Sequence, residues 1–194
     1  MKKWLWIIGL VCYCVKSQCQ VTLQQLLNAK PNEISIVNET QINTPELEFS
    51  PIPYQDKIVF IANGNRQSQK SQNDKHYYNV YVASINANEM LEGFTPFSSS
   101  VNSKFNEGPL CFNATGDRLY LTRNNYVEGD KYEGKYQLSI YEATKGQEDW
   151  EGFENILAGN KKHSFVHPAL SKDGKRLYFS SNISGDMVDM ICIT

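Results

Sequence analysis

The sequence has no apolar run long enough to cross a membrane. Its N-terminal apolar run, Trp4–Val15, contains 12 residues, whereas a helix that spans a bilayer needs about 20. Lys2 and Lys3 precede this run, which is the arrangement of a secretory signal peptide. No transmembrane span is therefore predicted once the signal peptide has been removed.

The residues after the apolar run predict where the signal peptide ends. Ser17-Gln18-Cys19 places small residues at both positions that a signal peptidase reads, so residues 1–19 are expected to be cleaved off before Gln20. A lipoprotein is the alternative, because Cys14 and Cys19 follow the run. Neither cysteine is preceded by the small residues of a lipidation site, however.

Basic residues are too few for a nucleic-acid-binding protein. The full chain has 19 Lys and Arg against 21 Asp and Glu, for a net charge of −2. Removal of residues 1–19 takes away Lys2, Lys3 and Lys16 but no acidic residue, which leaves a net charge of −5. Because phosphate binding needs a clustered basic surface, nucleic acid is not expected as a partner.

Cysteine is also scarce after the signal peptide. Of the five cysteines, only Cys111 and Cys192 lie beyond residue 19. Both are predicted to be buried free thiols, since cysteine is among the most buried residue types. In an oxidising compartment the two thiols could pair instead, but they are predicted in different strands of different repeats.

Signatures of catalysis and of metal binding are absent from the sequence. There is no Gly-x-Ser-x-Gly nucleophile elbow, and the three histidines have no nucleophile partner in a recognisable motif. His163 and His167 are four residues apart, as in a helical zinc pair, but Pro168 and the strand pattern exclude a helix there. The sequence therefore predicts a non-catalytic protein with no metal or other cofactor.

What the sequence does contain is a repeated β-hairpin, clearest in His167–Thr194. Asp173-Gly174 is a turn signal, and after it Leu177 and Phe179 alternate with polar or amphipathic residues at the two-residue period of a strand. Met187–Thr194 then supplies an apolar third strand.

The same unit occurs twice upstream, which indicates a repeat protein. The three matching blocks end at Asn63, Asn124 and Asn182, at nearly equal intervals along the chain. Each hairpin follows a proline-containing segment: Pro45 and Pro51, Gly108-Pro109, and His167-Pro168. The repeats are predicted at residues 44–97, 106–156 and 164–194, after a lead-in segment at residues 20–43.

Strands are predicted from the alternation of apolar and polar residues within these repeats. Their predicted ranges are Leu47–Phe49, Lys57–Ala62, Asn79–Ile85 and Phe94–Phe97, then Pro109–Phe112, Arg118–Arg123, Gln137–Glu142 and Phe153–Leu157, and finally Ala169–Leu170, Arg176–Ser181 and Met187–Thr194. In the lead-in segment a short helix is predicted through Leu23, Leu26 and Leu27, with Thr22 as its cap and Pro31-Asn32 ending it. A single strand is predicted at Glu33–Val37.

The third unit resembles the WD-repeat-like propeller repeat of TolB-type proteins. The residues that match this pattern in place are Pro168, Ser171, Asp173, Gly174, Leu177, Phe179, Ser181, Asn182 and Gly185. The second unit keeps Pro109, Gly116, Asp117, Leu119 and Asn124 with the order of the Asp-Gly pair reversed, and the first keeps Asp56, Ile58, Phe60 and Asn63. The resemblance extends over all three repeats and is most specific in the third.

This resemblance implies an all-β fold, a β-propeller-type array of about three four-stranded blades of which the last is incomplete. Because propellers close with about four to eight blades, the chain is expected to be a fragment or truncated reading frame, and part of a larger propeller. An open outer edge is expected to make it associate with other chains.

Proteins with a signal peptide and such an array resemble envelope proteins that continue into a peptidoglycan-binding OmpA-like domain. The function this implies is an exported protein-interaction scaffold in the periplasm or at the outer membrane. Its partners would be envelope proteins and, through such a domain, peptidoglycan. The alternatives are a propeller accessory domain of a hydrolase or peptidase, and a glycan-binding module.

Partner contacts are predicted in two polar connections that follow second strands, Gly64–Tyr77 and Asn125–Tyr136. Binding residues concentrate in loops on rigid scaffolds, and tyrosine is enriched in interfaces. The candidate residues are Arg66, His76, Tyr77, Tyr126 and Tyr132. Solvated loops without a partner are the alternative.

An asparagine ends each second strand, at Asn63, Asn124 and Asn182. It is interpreted as a turn former, because its side chain can bond the backbone and its own backbone tolerates the left-handed region.

Overall fold

The computed structural model describes residues 36–63, 77–103, 105–125, 137–158, 162–183 and 189–192, and all regular secondary structure in these ranges is β-strand. The strands are β1 (Glu48–Tyr54), β2 (Lys57–Asn63), β3 (Tyr78–Ile85), β4 (Leu91–Pro96), β5 (Glu107–Phe112), β6 (Arg118–Asn124), β7 (Leu138–Lys145), β8 (Trp150–Asn155), β9 (Phe165–Leu170), β10 (Arg176–Ser181) and β11 (Asp189–Cys192). The predicted all-β class is confirmed. No helix in the described ranges has the length and apolar character to cross a membrane.

The strands form three antiparallel sheets in which neighbours in sequence are neighbours in space. Sheet 1 has the order β1-β2-β3-β4, sheet 2 the order β5-β6-β7-β8, and sheet 3 the order β9-β10-β11. Their second strands begin at Lys57, Arg118 and Arg176, which reproduces the nearly equal intervals between the sequence repeats. Each repeat is therefore one sheet whose strands run up and down in chain order.

The sheets pack face to face because their second strands are apolar on both sides. In β2, Val59 and Ile61 belong to a core between sheets 1 and 2, whereas Phe60 and Ala62 lie on the opposite face of sheet 1 with Ile42. In β6, Leu119 joins that same core on one side, while Tyr120 packs against sheet 3 on the other. A third core joins sheets 2 and 3 through Phe165, Leu177 and Phe179.

The chain divides into two compact units, Met1–Val37 and Asn38–Thr194. In the first unit the structure describes only Ile36 and Val37; both are exposed and neither lies in a strand. The C-terminal part of the predicted strand Glu33–Val37 is therefore wrong. Its remainder lies outside the described residues, as do the predicted signal peptide and the predicted helix that Thr22 caps.

Second strands agree with their predicted bounds to within one residue, but first strands are longer than predicted. Strand β1 runs Glu48–Tyr54 instead of Leu47–Phe49, because a bulge carries the chain through Ser50-Pro51. Ser50 has a φ angle of 54° and His167, at the equivalent bulge of β9, has 59°. In the sequence, a proline at Ser50-Pro51 or His167-Pro168 indicates the end of a strand. In the structure each proline lies in a bulge, and the strand continues past it.

Gly108 sits at the bulge of β5, with a φ angle of 85° and no room for a side chain. A Cβ there would lie 2.7 Å from Cγ1 of Ile61, a side chain held in the core between sheets 1 and 2. We expect Gly108→Ala to lower the free energy of unfolding by roughly 2–4 kcal/mol, from backbone strain and overpacking together. Urea denaturation followed by circular dichroism measures the change.

Gly174→Ala is the matched control for this prediction. Gly174 has a φ angle of 72° but nothing within 4 Å of an added Cβ, so it incurs backbone strain of about 1–2 kcal/mol and no clash. Equal losses in the two variants would contradict the proposed contact with Ile61.

Candidate functional site

Two turns of similar construction lie side by side at one end of sheets 2 and 3. Residues 113–117 join β5 to β6, and residues 171–175 join β9 to β10. Gly116 and Gly174 take equivalent positions with φ angles of 73° and 72°. The reversed Asp-Gly order seen in the sequence thus leaves the glycine in place and moves only the aspartate.

Both aspartates are held by their own turns. Oδ1 of Asp117 accepts hydrogen bonds from the Asn113 amide and the Thr115 hydroxyl, each at 2.7 Å. Oδ1 of Asp173 accepts from the Ser171 hydroxyl at 2.6 Å and from the Lys175 backbone N–H at 3.1 Å. These hydrogen bonds lower the pKa of both carboxyls, so both aspartates are ionised at neutral pH and oriented toward the turn backbone.

Between the two turns lies an open groove of about 910 Å³, which we call the turn groove. Its lining residues come from the two hairpins alone: Asn113, Ala114, Thr115, Asp117, Arg118, Tyr120, Leu170, Lys172, Asp173, Gly174, Lys175 and Arg176. The groove therefore combines apolar and charged side chains at the junction of sheets 2 and 3.

A single residue difference closes the corresponding junction between the β1–β2 and β5–β6 turns of sheets 1 and 2. There Tyr54, the residue just before the β1–β2 turn, fills the junction: its hydroxyl donates to the Gly116 carbonyl at 3.2 Å and its ring lies 4.3 Å from that of Phe112. At the junction of sheets 2 and 3 the equivalent residue is Asn113. Its short side chain is bonded within its own turn and cannot fill the groove.

The cations of the turn groove are unequally paired. Arg118 binds Glu142 of β7, with Nη1 at 2.8 Å from Oε1. Arg176 occupies the same position in sheet 3, but β11 places Met190 opposite Tyr178, where β7 places Glu142 opposite Tyr120. Sheet 3 thus repeats the arginine and replaces its carboxylate partner by an uncharged residue.

A second feature, the Glu107 cluster, is a buried ionic group at the opposite end of sheet 2. Glu107 is fully buried, and Oε1 accepts a short hydrogen bond from the Ser103 hydroxyl. Its other carboxylate oxygen lies 3.1 Å from the amide nitrogen of Asn79, when that amide is oriented to donate. Nε of Arg123 lies 3.7 Å from Oε1, close enough for an ion pair but too far for a hydrogen bond.

Burial dominates the charge state of this cluster. Burial raises the pKa of Glu107 to about 7, against the opposing effects of the Ser103 hydrogen bonds and of Arg123. Burial also lowers the pKa of Arg123, and Glu107 partly restores it. Arg123 stacks over the ring of Phe153 at 4.6 Å and donates to the carbonyls of Ser100 and Val101. The guanidinium therefore holds the connector between sheets 1 and 2.

The Glu107–Arg123 pair is a departure from the repeat. The two residues are opposite each other in the β5–β6 ladder, and the same ladder position holds Glu48 and Ala62 in sheet 1. In sheet 3 it holds Phe165 and Ser181. Since the fold forms without an ion pair at this position in two of three sheets, the pair is a property of sheet 2 alone.

The same connector is fixed at two further points. Asn102 bonds both backbone groups of Val80, accepting from its N–H at 2.8 Å and donating to its carbonyl at 2.9 Å. Asp149 accepts from the Ser99 hydroxyl at 2.8 Å and the Ser100 N–H at 3.1 Å. Burial alone would raise the pKa of Asp149, but these and neighbouring hydrogen bonds lower it below its usual range.

Two of the asparagines at the ends of second strands, Asn124 and Asn182, bond the backbone, though not as turn formers. Oδ1 of Asn124 accepts from the N–H of Asn106 at 2.9 Å, and Oδ1 of Asn182 from the N–H of Ser164 at 2.8 Å. Each asparagine thus ties the end of a second strand to the start of its hairpin. The equivalent of these donors in sheet 1 is Leu47, one position before the Glu48–Ala62 ladder pair, and there the Asn63 amide donates to Oε2 of Glu46 at 3.4 Å.

None of these three asparagines uses the left-handed region that asparagine tolerates. Among the residues that the structure describes, the non-glycine residues with positive φ are Ser50, Gln55, Glu89 and His167. The side chain of such an asparagine makes the next hydrogen bond of the ladder while its backbone keeps the extended conformation of the strand. No left-handed residue is therefore needed there.

Of the predicted interaction residues, the structure describes only Tyr77. It is half-buried, and its ring lies 6.4 Å from that of Phe105 in an edge-to-face contact. Arg66, His76, Tyr126 and Tyr132 lie outside the described residues. The turn groove is at the other end of the sheets, where the β5–β6 and β9–β10 turns are. The turn groove was not predicted from the sequence, because it forms only where two hairpins from different repeats lie side by side.

The structure also places the predicted thiol and histidines. Cys111 is a free, half-buried thiol in β5, and burial raises its pKa to about 12. Cys192 lies in β11, whose side chains are not described. His163 precedes β9 and His167 lies within it, and the described part of the chain contains no group of three or more residues able to hold a metal ion.

Comparison with known proteins adds no family to this picture. No protein-family model matches the chain, and no curated protein matches it.

Proposed function

We propose that this protein is an exported, non-catalytic interaction module built as a β-propeller-type array. The observation that carries the proposal is the repeat itself: successive antiparallel meanders stack face to face and leave a lined groove at a junction. Such a scaffold is rigid, and its turns present side chains to a partner without using them for packing. The resemblance of Pro168–Gly185 to TolB-type repeats supports the same architecture.

The envelope is the proposed location. The predicted signal peptide at residues 1–19 supports export, and the resemblance to envelope proteins with an early blade array supports a place in the periplasm or at the outer membrane. Envelope proteins are the proposed partners, with peptidoglycan as a further partner through an OmpA-like domain.

Export is tested by expressing the chain in a diderm host and analysing the extracytoplasmic fraction by mass spectrometry. The expected product begins at or near Gln20. A product retained in the cytoplasm, or an extracytoplasmic product that keeps Met1, would contradict the cleaved signal peptide.

Partner binding is tested in the same host with a photo-crosslinking residue. Placed at Lys175 on the rim of the turn groove, it should give a discrete adduct with an envelope protein. Placed at Glu89 in the β3–β4 turn, which is also exposed but lies outside the groove, it should give none. Equal adducts at both positions would show non-specific contact and argue against the module.

A further inference from the structure

The turn groove has a net positive lining on a net negative protein. Lys172, Lys175, Arg118 and Arg176 line it together with only Asp117 and Asp173, whereas the full chain carries a net charge of −2. A positively charged surface on a negatively charged protein is a surface that attracts an anionic partner.

The acidic residues of the groove do not neutralise these cations through direct pairing. Asp117 and Asp173 accept hydrogen bonds from their own turns, so their lone pairs are directed at the turn backbone and hydroxyls. Arg118 is bound by Glu142. Among the side chains that the structure describes, those of sheet 3 on the β9–β10 turn and at the start of β10 are the groove cations without an ion pair.

The groove also offers apolar surface beside the charges. Leu170 and Ala114 line it above the buried Tyr120, so a ligand that matches the groove carries both carboxylates and carbon. Its volume of about 910 Å³ lies within the range of ligand-binding pockets. A lone inorganic anion would leave most of this surface uncovered.

We propose that the turn groove binds an acidic peptide segment, with Lys172, Lys175 and Arg176 as its carboxylate-binding residues. The guanidinium of Arg176 suits a carboxylate because its donors form a planar fork, and the two lysines act as point charges along the rim. This inference deepens the proposed interaction function and rests on it. Nucleic acid is disfavoured as the ligand by the acidity of the chain as a whole.

Binding of fluorescein-labelled hexaglutamate to the purified exported protein, followed by fluorescence anisotropy, tests the proposal. Hexaglutamate should bind and hexaglutamine should not, and binding should weaken as salt is raised. The double variant Lys172→Glu/Lys175→Glu should weaken binding at least tenfold. Lys57→Glu/Lys162→Glu makes the same two charge reversals at exposed lysines outside the groove and should change the Kd by less than a factor of two.

Arg176→Gln provides a variant that keeps the fold if the double variant does not. Its exposed side chain is replaced without introducing a new charge, and binding should weaken several-fold. Three results would overturn the proposal. Hexaglutamate fails to bind; the groove variants bind it as tightly as the parent does; or polygalacturonate displaces the labelled peptide at a lower carboxylate concentration than unlabelled hexaglutamate does. A groove adduct in the crosslinking experiment without hexaglutamate binding would reject the acidic ligand and leave the interaction module standing.

Discussion

Leu119→Asp should leave little cooperatively folded protein. Leu119 is fully buried in the core between sheets 1 and 2, paired in the ladder with Phe112 and Ala143. The substitution removes roughly 2–3 kcal/mol of apolar burial and places a carboxylate where no described side chain can pair with it, at a further cost of several kcal/mol. Since domains of this size are stable by about 5–15 kcal/mol, most of the margin is lost.

Loss of the circular-dichroism thermal transition measures this effect, and Leu47→Asp is its matched control. Leu47 lies just before β1 and is 61% exposed, so the same substitution there should change stability by less than about 1 kcal/mol. Leu177→Asp should behave like Leu119→Asp, because Leu177 has the same position in the core between sheets 2 and 3. If Leu119→Asp kept the parent's thermal midpoint, the assignment of second strands to the core would be wrong.

The second large effect concerns the pH dependence of stability and comes from Glu107. Its pKa is raised from 4.5 to about 7 by burial, so the folded state keeps a proton that the unfolded state has already released. Between these two values unfolding releases a proton, and the free energy of unfolding falls as pH rises. The expected loss is about 3 kcal/mol between pH 4.5 and pH 7, after which this contribution is constant.

Glu107→Gln should abolish this part of the pH profile. Glutamine keeps the shape and does not titrate, and the Asn79 amide can turn to accept from its NH₂ group. Below pH 7 Arg123 faces a protonated, neutral Glu107 in the parent and a neutral glutamine in the variant, and its attraction for the ionised carboxylate is already included in the raised pKa of Glu107. The difference in unfolding free energy between variant and parent should therefore rise by about 3 kcal/mol from pH 4.5 to pH 7.5.

Urea denaturation at half-unit pH steps gives this difference directly, because all other groups titrate alike in both proteins. Glu148→Gln removes one carboxylate at an exposed position of the β7–β8 turn. Its profile of unfolding free energy against pH should run parallel to that of the parent. Parallel profiles for Glu107→Gln and the parent would mean that the Glu107 carboxyl is hydrated in solution.

Alternation and spacing are sufficient to predict the second strands. Leu177 and Phe179 must both face a core, and no other backbone conformation puts alternate residues on one face. First strands are predicted too short because Ser50-Pro51 and His167-Pro168 have the local signature of a strand end. Only the ladder to the neighbouring strand, which sequence does not reveal, keeps them extended.

The candidate site depends on contacts between repeats and is harder to predict. That Asn113 takes the place of Tyr54, and so opens the turn groove, follows only once the two hairpins are aligned by their ladders. The Glu107–Arg123 pair likewise requires the β5–β6 register. A comparison of equivalent positions across the three repeats would have found both, since each is a place where one repeat departs from the others.

The up-and-down order of the strands determines which contacts must be made at long range during folding. Every ladder in the described part of the chain joins consecutive strands, so each sheet can assemble through short loop closures before it contacts another sheet. Only the docking of one finished sheet on the next joins distant residues. That step depends on a few junction side chains, among them Tyr54, Leu119 and Leu177. Substitutions at these positions should therefore slow the association of sheets, whereas changes within a hairpin turn should alter how fast a single sheet forms.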